Sequence, residues 1–286
     1  MKYAVIDIGS NSVRMLINGD GASIFKESKI TKLAKGMFNG VLDGESINRT
    51  LTAVKYFVDK SKDFSVDKLF CFATAATRNA KNKNQLIDEI KRSCDIEVDV
   101  VSDELEGYIG ALGALEGKDG AVIDVGGASS EICVLKQGVK IYSKSLPMGA
   151  VSMTDKFGQD KDTAYEFISQ KVREYGEIDC CNFYAIGGTA STLSAIEQRL
   201  EPYDSSKVHG YEIRKENINE IIDKLFDLSI EERRSLKGLQ PERAEVIAQG
   251  GLIIFCIMEY LNIDSLIVSE SDNLEGYLLE KIKGNE

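Results

Sequence analysis

Apolar residues near the start of the chain come in short continuous runs before they come in helical stripes. Tyr3 to Ile8, Val13 to Asn18 and Ala22 to Ser28 are strand-like runs separated by glycines and small polar residues, which predicts a three-stranded meander. From Ser46 to Phe64 the residues Ile47, Leu51, Val54, Phe57 and Val58 recur at helical spacing, and Leu69 to Thr74 then reads as a buried strand. A helix, a strand over Ile96 to Val101 and a helix over Asp103 to Leu115 follow. The order then starts again. Ala121 to Val125, Ser130 to Lys136 and Val139 to Leu146 are three strands, helical segments run through Tyr175, and Phe183 to Ile186 leads to a helix from Thr189. Pro241 opens an almost wholly apolar helix, Arg243 to Tyr260, expected to be buried on most sides. Leu266 to Ser269 is a final strand and Leu274 to Ile282 a final helix.

The repetition extends to the letters. Ala4-Val5-Ile6-Asp7-Ile8-Gly9-Ser10-Asn11-Ser12 and Ala121-Val122-Ile123-Asp124-Val125-Gly126-Gly127-Ala128-Ser129 both spell A-V-I-D-x-G-x-x-S. Two copies of one βββαβα unit is the economical reading. It predicts an α/β fold of two lobes, residues 1–117 and 118–286, with the C-terminal helix, 274–286, free to pack back on the first lobe. A short hinge near Glu116 to Asp119 would leave a central cleft between them.

Composition narrows the partners. A chain of 286 residues with a formal net charge of −11 lacks the basic surface on which a general nucleic-acid binder depends, so an anionic ligand must be met by local cations. No basic region precedes an apolar stretch at the start, and Leu252 to Met258, the most apolar run, is far short of a membrane span. The expectation is a cytoplasmic protein without nucleic-acid or membrane partners, with a homodimer left open. The six cysteines show no C-x-x-C pairing and read as reduced thiols. His209, the single histidine, cannot supply a histidine-rich metal centre.

A strand that runs into a carboxylate and then into a turn of small residues suits phosphate chemistry. The turn lets backbone amides approach phosphate oxygens while the aspartate reaches a Mg²⁺. One such turn could be only a tight hairpin; two at equivalent places make Ser10, Asn11 and Ser12, with Gly126, Gly127, Ala128 and Ser129, candidate phosphate-binding residues. Gly187-Gly188-Thr189 adds a third glycine turn at a strand-to-helix junction. Two residues beyond the shared serine the copies differ, Arg14 in one and Glu131 in the other. Arg14 is suited to neutralise phosphate oxygens, and Glu131 with Asp124 to hold a metal, either against the alternative of ordinary outward strand residues.

Glu106 is the candidate base. Asp103-x-x-Glu106 also resembles a helix-capping box, but Leu105, Tyr108, Ile109, Leu112 and Leu115 form one apolar stripe, and Glu106 falls opposite, between Gly110 and Gly113. Helical glycines cost roughly 0.5–1 kcal/mol each, so three in this helix imply close approach on that face. Arg78, after Phe72-Ala73-Thr74-Ala75-Ala76-Thr77, begins a local supply of cations that otherwise reads as a solvated face. A Walker loop is absent, and Cys71 and Arg78 are one residue too far apart for a cysteine phosphatase.

Asp7 to Arg14, Ala73 to Arg78, Asp124 to Glu131, Leu146-Pro147-Met148-Gly149-Ala150 and Gly187-Gly188-Thr189 together resemble the exopolyphosphatase/guanosine pentaphosphatase (Ppx/GppA) family over nearly the whole chain. The resemblance implies two actin-like (ribonuclease H-like) ATPase domains and Mg²⁺-dependent release of terminal phosphate from inorganic polyphosphate or pppGpp, with Mn²⁺ as an alternative ion. It places the catalytic glutamate at Glu106, with Leu105 where the family has a first acid and Tyr108 where an arginine is usual. Asn273-Leu274-Glu275-Gly276 likewise lacks the arginine of the family's closing segment, and the chain looks like a short form without a third, helical domain. The implied assignment is Asp124 and Glu131 on the metal, with Asp7 through water, the turns on the phosphates, Arg14 and Arg78 against developing charge, and Glu106 on the water. The acidic composition suggests short chains as substrate. Two rivals are an actin-like kinase passing the γ-phosphate of ATP to a small acceptor, and a non-catalytic polyphosphate or alarmone sensor.

Overall fold

In the computed structural model, which describes residues 1–35, 37 and 39–283, the strand-forming pattern builds two sheets. The first contains β1 (Lys2–Ile8), β2 (Ser12–Gly19) and β3 (Ala22–Ile30) as an antiparallel meander. Every residue from Ala4 to Ile8 except Asp7 is wholly buried, which suits a central strand covered on both faces. α1 (Gly44–Asp63) follows; Asp43 caps it by accepting from the backbone N–H groups of Glu45 and Ser46, each at 2.9 Å. Its apolar stripe, Ile47, Leu51, Val54 and Phe57, is buried. Then come β4 (Lys68–Ala73), α2 (Ala75–Asn79), α3 (Lys83–Cys94), β5 (Asp99–Val100) and α4 (Asp103–Leu115).

The second sheet opens with β6 (Gly120–Val125), β7 (Ser130–Lys136) and β8 (Val139–Leu146), again a meander. α5 (Ala150–Phe157), α6 (Lys161–Lys171), β9 (Phe183–Ile186) and α7 (Gly187–Gln198) follow. The chain continues through α8 (Ser205–Val208), β10 (Glu212–Arg214), α9 (Lys215–Asp227) and α10 (Ile230–Arg233), and closes with α11 (Ile247–Tyr260), β11 (Ser265–Val268) and α12 (Asn273–Lys283). The strand orders are β3-β2-β1-β4-β5 and β10-β11-β9-β6-β7-β8. With the antiparallel edge strand β10 set aside, each sheet runs third, second, first, fourth, fifth. This is the duplicated α/β architecture, two sheets of one strand order, that the repeat implies.

Several elements differ from their sequence-based bounds. The strand expected over Ile96 to Val101 shrinks to Asp99–Val100, because only those residues find ladder partners, Phe72 and Ala73, on β4. Ile96 and Val98 spend their apolar surface against the first core instead. The apolar helix expected from Arg243 begins at Ile247; Pro241–Arg243 is a separate 3₁₀ turn, and Val246 packs into the first lobe's core. β10 and α9 were not predicted, although Ile218, Ile222 and Leu225 bury a clear helical stripe. The last three residues of the proposed 274–286 helix lie outside the described residues.

The fourth helix and the last change sides. α12 packs on β1 and β2 of the first sheet, and α4 on β6, β7 and β8 of the second. Leu274, Tyr277 and Leu278 join Val5, Leu16, Phe72 and Ile109 in one core, with the Tyr277 and Phe72 rings stacked at 4.4 Å. Ala111, Leu112 and Leu115 join Val122, Cys133 and Tyr184 in another. The two helices cross at backbone contact: a Cβ on Gly276 would lie 1.7 Å from the Ile109 carbonyl oxygen, and one on Gly113 2.0 Å from that of Asp272. The glycine face of α4 is therefore the seat of α12, not space cleared for a ligand.

Gly276→Ala is expected to destabilise the protein by about 1–3 kcal/mol or more, since backbone on both sides must separate. Gly44→Ala at the start of α1, where nothing lies within 4 Å, serves as control, and should stay within about 0.5 kcal/mol of wild type in urea unfolding.

Candidate functional site

The two glycine turns have the same internal bond. Gly9 N–H donates to the Ser12 carbonyl at 2.9 Å, and Gly126 N–H to that of Ser129 at 3.0 Å. Each turn is also tied from behind by the segment after its third strand. Ala34 N–H reaches the Ser10 carbonyl at 2.8 Å, and the N–H groups of Ala150 and Val151 reach the carbonyls of Gly126 and Gly127, both at 2.8 Å. In a planar trans peptide the next N–H points the opposite way, so those of Asn11, Gly127 and Ala128 are turned away from these ties. The turns face each other closely enough that a Cβ on Gly127 would stand 2.8 Å from Ser10 Cβ. They border a cleft of about 430 Å³, within the usual range for a small-molecule site.

Asp7 and Asp124 end their first strands at the cleft. Directly across each hairpin stand Arg14 and Glu131, as the register Asp7↔Arg14 and Asp124↔Glu131 shows. Glu106 enters from the first turn of α4, whose N-cap Ser102 accepts from Leu105 N–H at 3.2 Å. Arg78 holds it there, with Nη1 2.7 Å from Glu106 Oε2 and 2.9 Å from the Val101 carbonyl oxygen, and it also pairs with Asp103. Burial pushes the Glu106 carboxyl up to about 7 against the pull of Arg78. Burial likewise pushes Asp124 up to about 7 against Arg14, with Glu106 and Asp272 repelling it further. Glu131 is raised well above the usual range, by burial first and then by Glu106 and Asp124, while Ser145 Oγ donates to its Oε1 at 2.7 Å.

Of the residues singled out in the sequence, Asp7, Ser10, Asn11, Ser12, Arg14, Glu106, Asp124, Gly126, Gly127, Ser129, Gly188 and Thr189 line the cleft. Ala128, Arg78 and Glu131 are not part of its wall. Arg78 thus meets Glu106, not the cleft, and Glu131 stands behind Asp124. Arg14 is already engaged: Nε donates to Asp7 Oδ2 at 3.0 Å, and Nη1 pairs with Asp272. The Thr189 hydroxyl donates to the Val125 carbonyl at 2.9 Å, which ties α7 to the end of β6.

Other lining residues escaped the sequence reading. Lys26 on β3 reaches Glu275 Oε1 at 2.9 Å. Asn273 Nδ2 donates to Asp124 Oδ2 at 3.3 Å. Arg243 lies over the third glycine turn, where a Cβ on Gly188 would stand 2.0 Å from its Nη1. Among the described residues it forms no salt bridge, and burial, then repulsion from Arg14, lowers its pKa. The signal for Arg243 is weak, because it follows Pro241 in what reads as helix. His209 accepts from Glu270 N–H at 3.2 Å, a structural contact.

Among the described residues no three His, Cys, Asp or Glu side chains form a ready-made metal centre. The donor chemistry nonetheless fits a hard cation. Glu106, Asp124 and Glu131 offer only oxygens; Glu106 repels Asp124, and Glu106 and Asp124 repel Glu131, a repulsion that a divalent ion relieves. Among the described residues, the buried acceptors Asp7 Oδ1 and Asn273 Oδ1 have no hydrogen-bond partner.

Comparison with known proteins agrees with this geometry. The family model described as the Ppx/GppA phosphatase family matches residues 16–284. The chain is 32% identical to the bifunctional 3-dehydroquinate synthase/phosphatase of Fusobacterium nucleatum over 98% of its own length, but spans only 46% of that protein. It is 29% identical to exopolyphosphatase 2 of Mycobacterium tuberculosis, over 97% of this chain and 98% of that one. The solved structure of the Aquifex aeolicus Ppx/GppA family member superposes with a TM-score of 0.84 at 30% identity, covering 100% of this chain and 99% of the other. The chain belongs to the Ppx/GppA phosphatase family.

Proposed function

We propose that the protein hydrolyses phosphoanhydrides, releasing the terminal phosphate of inorganic polyphosphate, short chains foremost, or the 5′-phosphate of pppGpp. The observation that carries this reading is the placement of Glu106. A buried carboxylate with a pKa near neutrality stands beside Asp124, in a cleft walled by two facing phosphate-type turns. The names of two relatives support the substrate class: exopolyphosphatase 2 of M. tuberculosis and the guanosine-5′-triphosphate,3′-diphosphate pyrophosphatase of Pseudoalteromonas atlantica, which is 27% identical, with the chain spanning 60% of its length.

The turn amides bind the phosphate oxygens, and the repulsion between Arg14 and Arg243 across the cleft is relieved by an anion placed between them. Asp124 and Glu131 are the residues that would hold Mg²⁺ or Mn²⁺, which when bound would supply charge neutralisation to the phosphates. Glu106 accepts a proton from water as the water oxygen attacks the terminal phosphorus and the bridging P–O bond breaks. Arg78 keeps the Glu106 carboxylate ionised and aimed. Long polyphosphate meets the net negative charge of the chain outside the cleft, which favours short chains.

Glu106→Gln is expected to lower kcat for phosphate release by about 10²–10⁴-fold; an unchanged rate from polyphosphates of graded length and from pppGpp would remove Glu106 from the reaction. The base must be ionised, so kcat/KM should fall as pH drops through an acid limb at or below about 7. Arg78→Met should move that limb to higher pH, because Arg78 pulls the Glu106 pKa down.

Without divalent ions, the raised carboxyls of Glu106 and Asp124 bind protons more tightly in the folded chain than in the unfolded one. Their contribution to stability is complete below about pH 4 and is lost as pH rises to about 7. Melting curves should therefore show a larger Mg²⁺-induced rise in Tm at pH 8 than at pH 5. The difference should shrink in Asp124→Asn.

A further inference from the structure

Residues 102–107, Ser-Asp-Glu-Leu-Glu-Gly, recur at 271–276 as Ser-Asp-Asn-Leu-Glu-Gly. One run opens α4 and the other α12, the two helices that change sides. The duplication therefore reaches past the glycine turns to the helix-borne acids, and each hairpin receives a first helical turn carrying Asp and Glu. In one copy Asp124 stands across from Glu131, and Ser143 on the third strand stands across from Cys133. α4 lies over them, with a Cβ on Gly107 placed 3.1 Å from Ser143 Oγ and 3.8 Å from Glu131 Cβ. In the other copy Asp7 stands across from Arg14, and Lys26 on the third strand across from Leu16. α12 lies over these, with Lys26 Nζ 2.9 Å from Glu275 Oε1.

By register, Arg14 thus takes the place of Glu131, and Lys26 the place of Ser143. Both copies hold a strand aspartate and the Asp and Glu of the repeated helix start, Asp124, Asp103 and Glu106 in one and Asp7, Asp272 and Glu275 in the other, and Glu131 is a fourth acid in the Asp124 copy. We propose that the cleft is a duplicated cation site in which the Asp124 copy alone takes up a divalent ion, while the Arg14 guanidinium and the Lys26 ammonium stand in for the ion in the Asp7 copy.

Their contacts are those expected of such substitutes. Arg14 bridges Asp7 and Asp272, and Lys26 binds Glu275 while lying 3.8 Å from Asp272 Oδ2. Charge-assisted bonds of this kind give buried carboxylates the counter-charge that a metal would otherwise supply. In the Asp124 copy the corresponding positions, Glu131 and Ser143, carry no positive charge. Arg78 pairs with Glu106 and Asp103 of that copy, and Arg14 pulls on Asp124 without outweighing its burial. Lys26 is on this account a positioning residue: it steadies Asp272 and Glu275, and through Asp272 the guanidinium of Arg14. The inference rests on the reading of Asp124 and Glu131 as cation ligands.

The test is the number of Mn²⁺ ions bound by the purified full chain without substrate, followed by the loss of the free-ion signal in electron paramagnetic resonance. Wild type is expected to bind one. Asp124→Asn should weaken that uptake by at least about 10–100-fold, the loss that removing even an outer-shell partner of a metal causes, whereas Asp7→Asn should leave the count at one. The double substitution Arg14→Glu with Lys26→Ser, which rebuilds the acidic copy, should raise the count to two, and adding Asp7→Asn should return it to one. Circular dichroism melts establish that each variant is folded. If wild type binds two ions and Asp7→Asn removes one, the inference is overturned, a result that needs no rebuilt variant. One ion in wild type and one in a folded double variant overturns it as well, with the Asp124 assignment intact. No uptake by wild type overturns the Asp124 assignment itself. Because no turnover is measured, neither result depends on whether the protein hydrolyses phosphoanhydrides.

Discussion

The backbone crossing of α4 and α12 is the contact on which the site depends. Gly113 and Gly276 let the two helices meet without intervening side chains, and each helix then lies on the sheet of the other half. The first turn of α4 consequently delivers Glu106 to the hairpin of Asp124, although Glu106 precedes that hairpin in the chain. The start of α12 delivers Asp272 and Asn273 to the cleft from the other end of the sequence, and Glu275 to Lys26 on its wall. A side chain on either glycine would force the helices apart and misplace acids from both. The stacked Phe72 and Tyr277 rings, with Tyr277 Oη donating to Asp99 Oδ2 at 2.7 Å, secure the α12 side of that arrangement.

Around this crossing the same backbone is used for opposite electrostatics. The turns share their internal hydrogen bond and their ties from behind, so the amide dipoles are alike. The side chains across the hairpins are not. Arg14 is clasped by Asp7 and Asp272, and the pKa of Asp272 ends below the usual range because Arg14 and Lys26 together outweigh its burial. Asp124, Glu131 and Glu106 keep raised pKa values, since burial and mutual repulsion outweigh what Arg14, Ser145 and Arg78 provide. On the Asp7 side burial still raises Asp7 and Glu275, but Arg14 and Lys26 pull against it; on the Asp124 side Glu106 and Asp124 add repulsion to the burial of Glu131.

Much of this was legible along the chain. The strands, most helices and the duplication followed from apolar periodicity, and β7, β8, β9 and α4 matched their predicted bounds. Asp7, Asp124 and the glycine turns stood out because one constellation occurred twice, and Glu106 because it fell off the apolar stripe of its helix. The glycines of that helix serve α12 instead: Gly110 and Gly113 make room for Asn273, Asp272 and Gly276. Leu105, beside Glu106, packs against the core shared by Val5, Phe72 and Tyr277. Lys26, Arg243, Asp272 and Asn273 were missed. The repeat of residues 102–107 at 271–276 was the available signal for the C-terminal pair.

The sequence by itself determined the elements, their repetition and the kinds of group at hand, because periodicity and turn chemistry act over a few residues. It could not decide which charges meet. Arg14 binds Asp272 from the far end of the chain, Arg78 binds Glu106 instead of lining the cleft, and Glu131 stands behind Asp124. Those outcomes depend on the crossing of two helices and on the water each carboxylate loses, and both exist only once the lobes are packed.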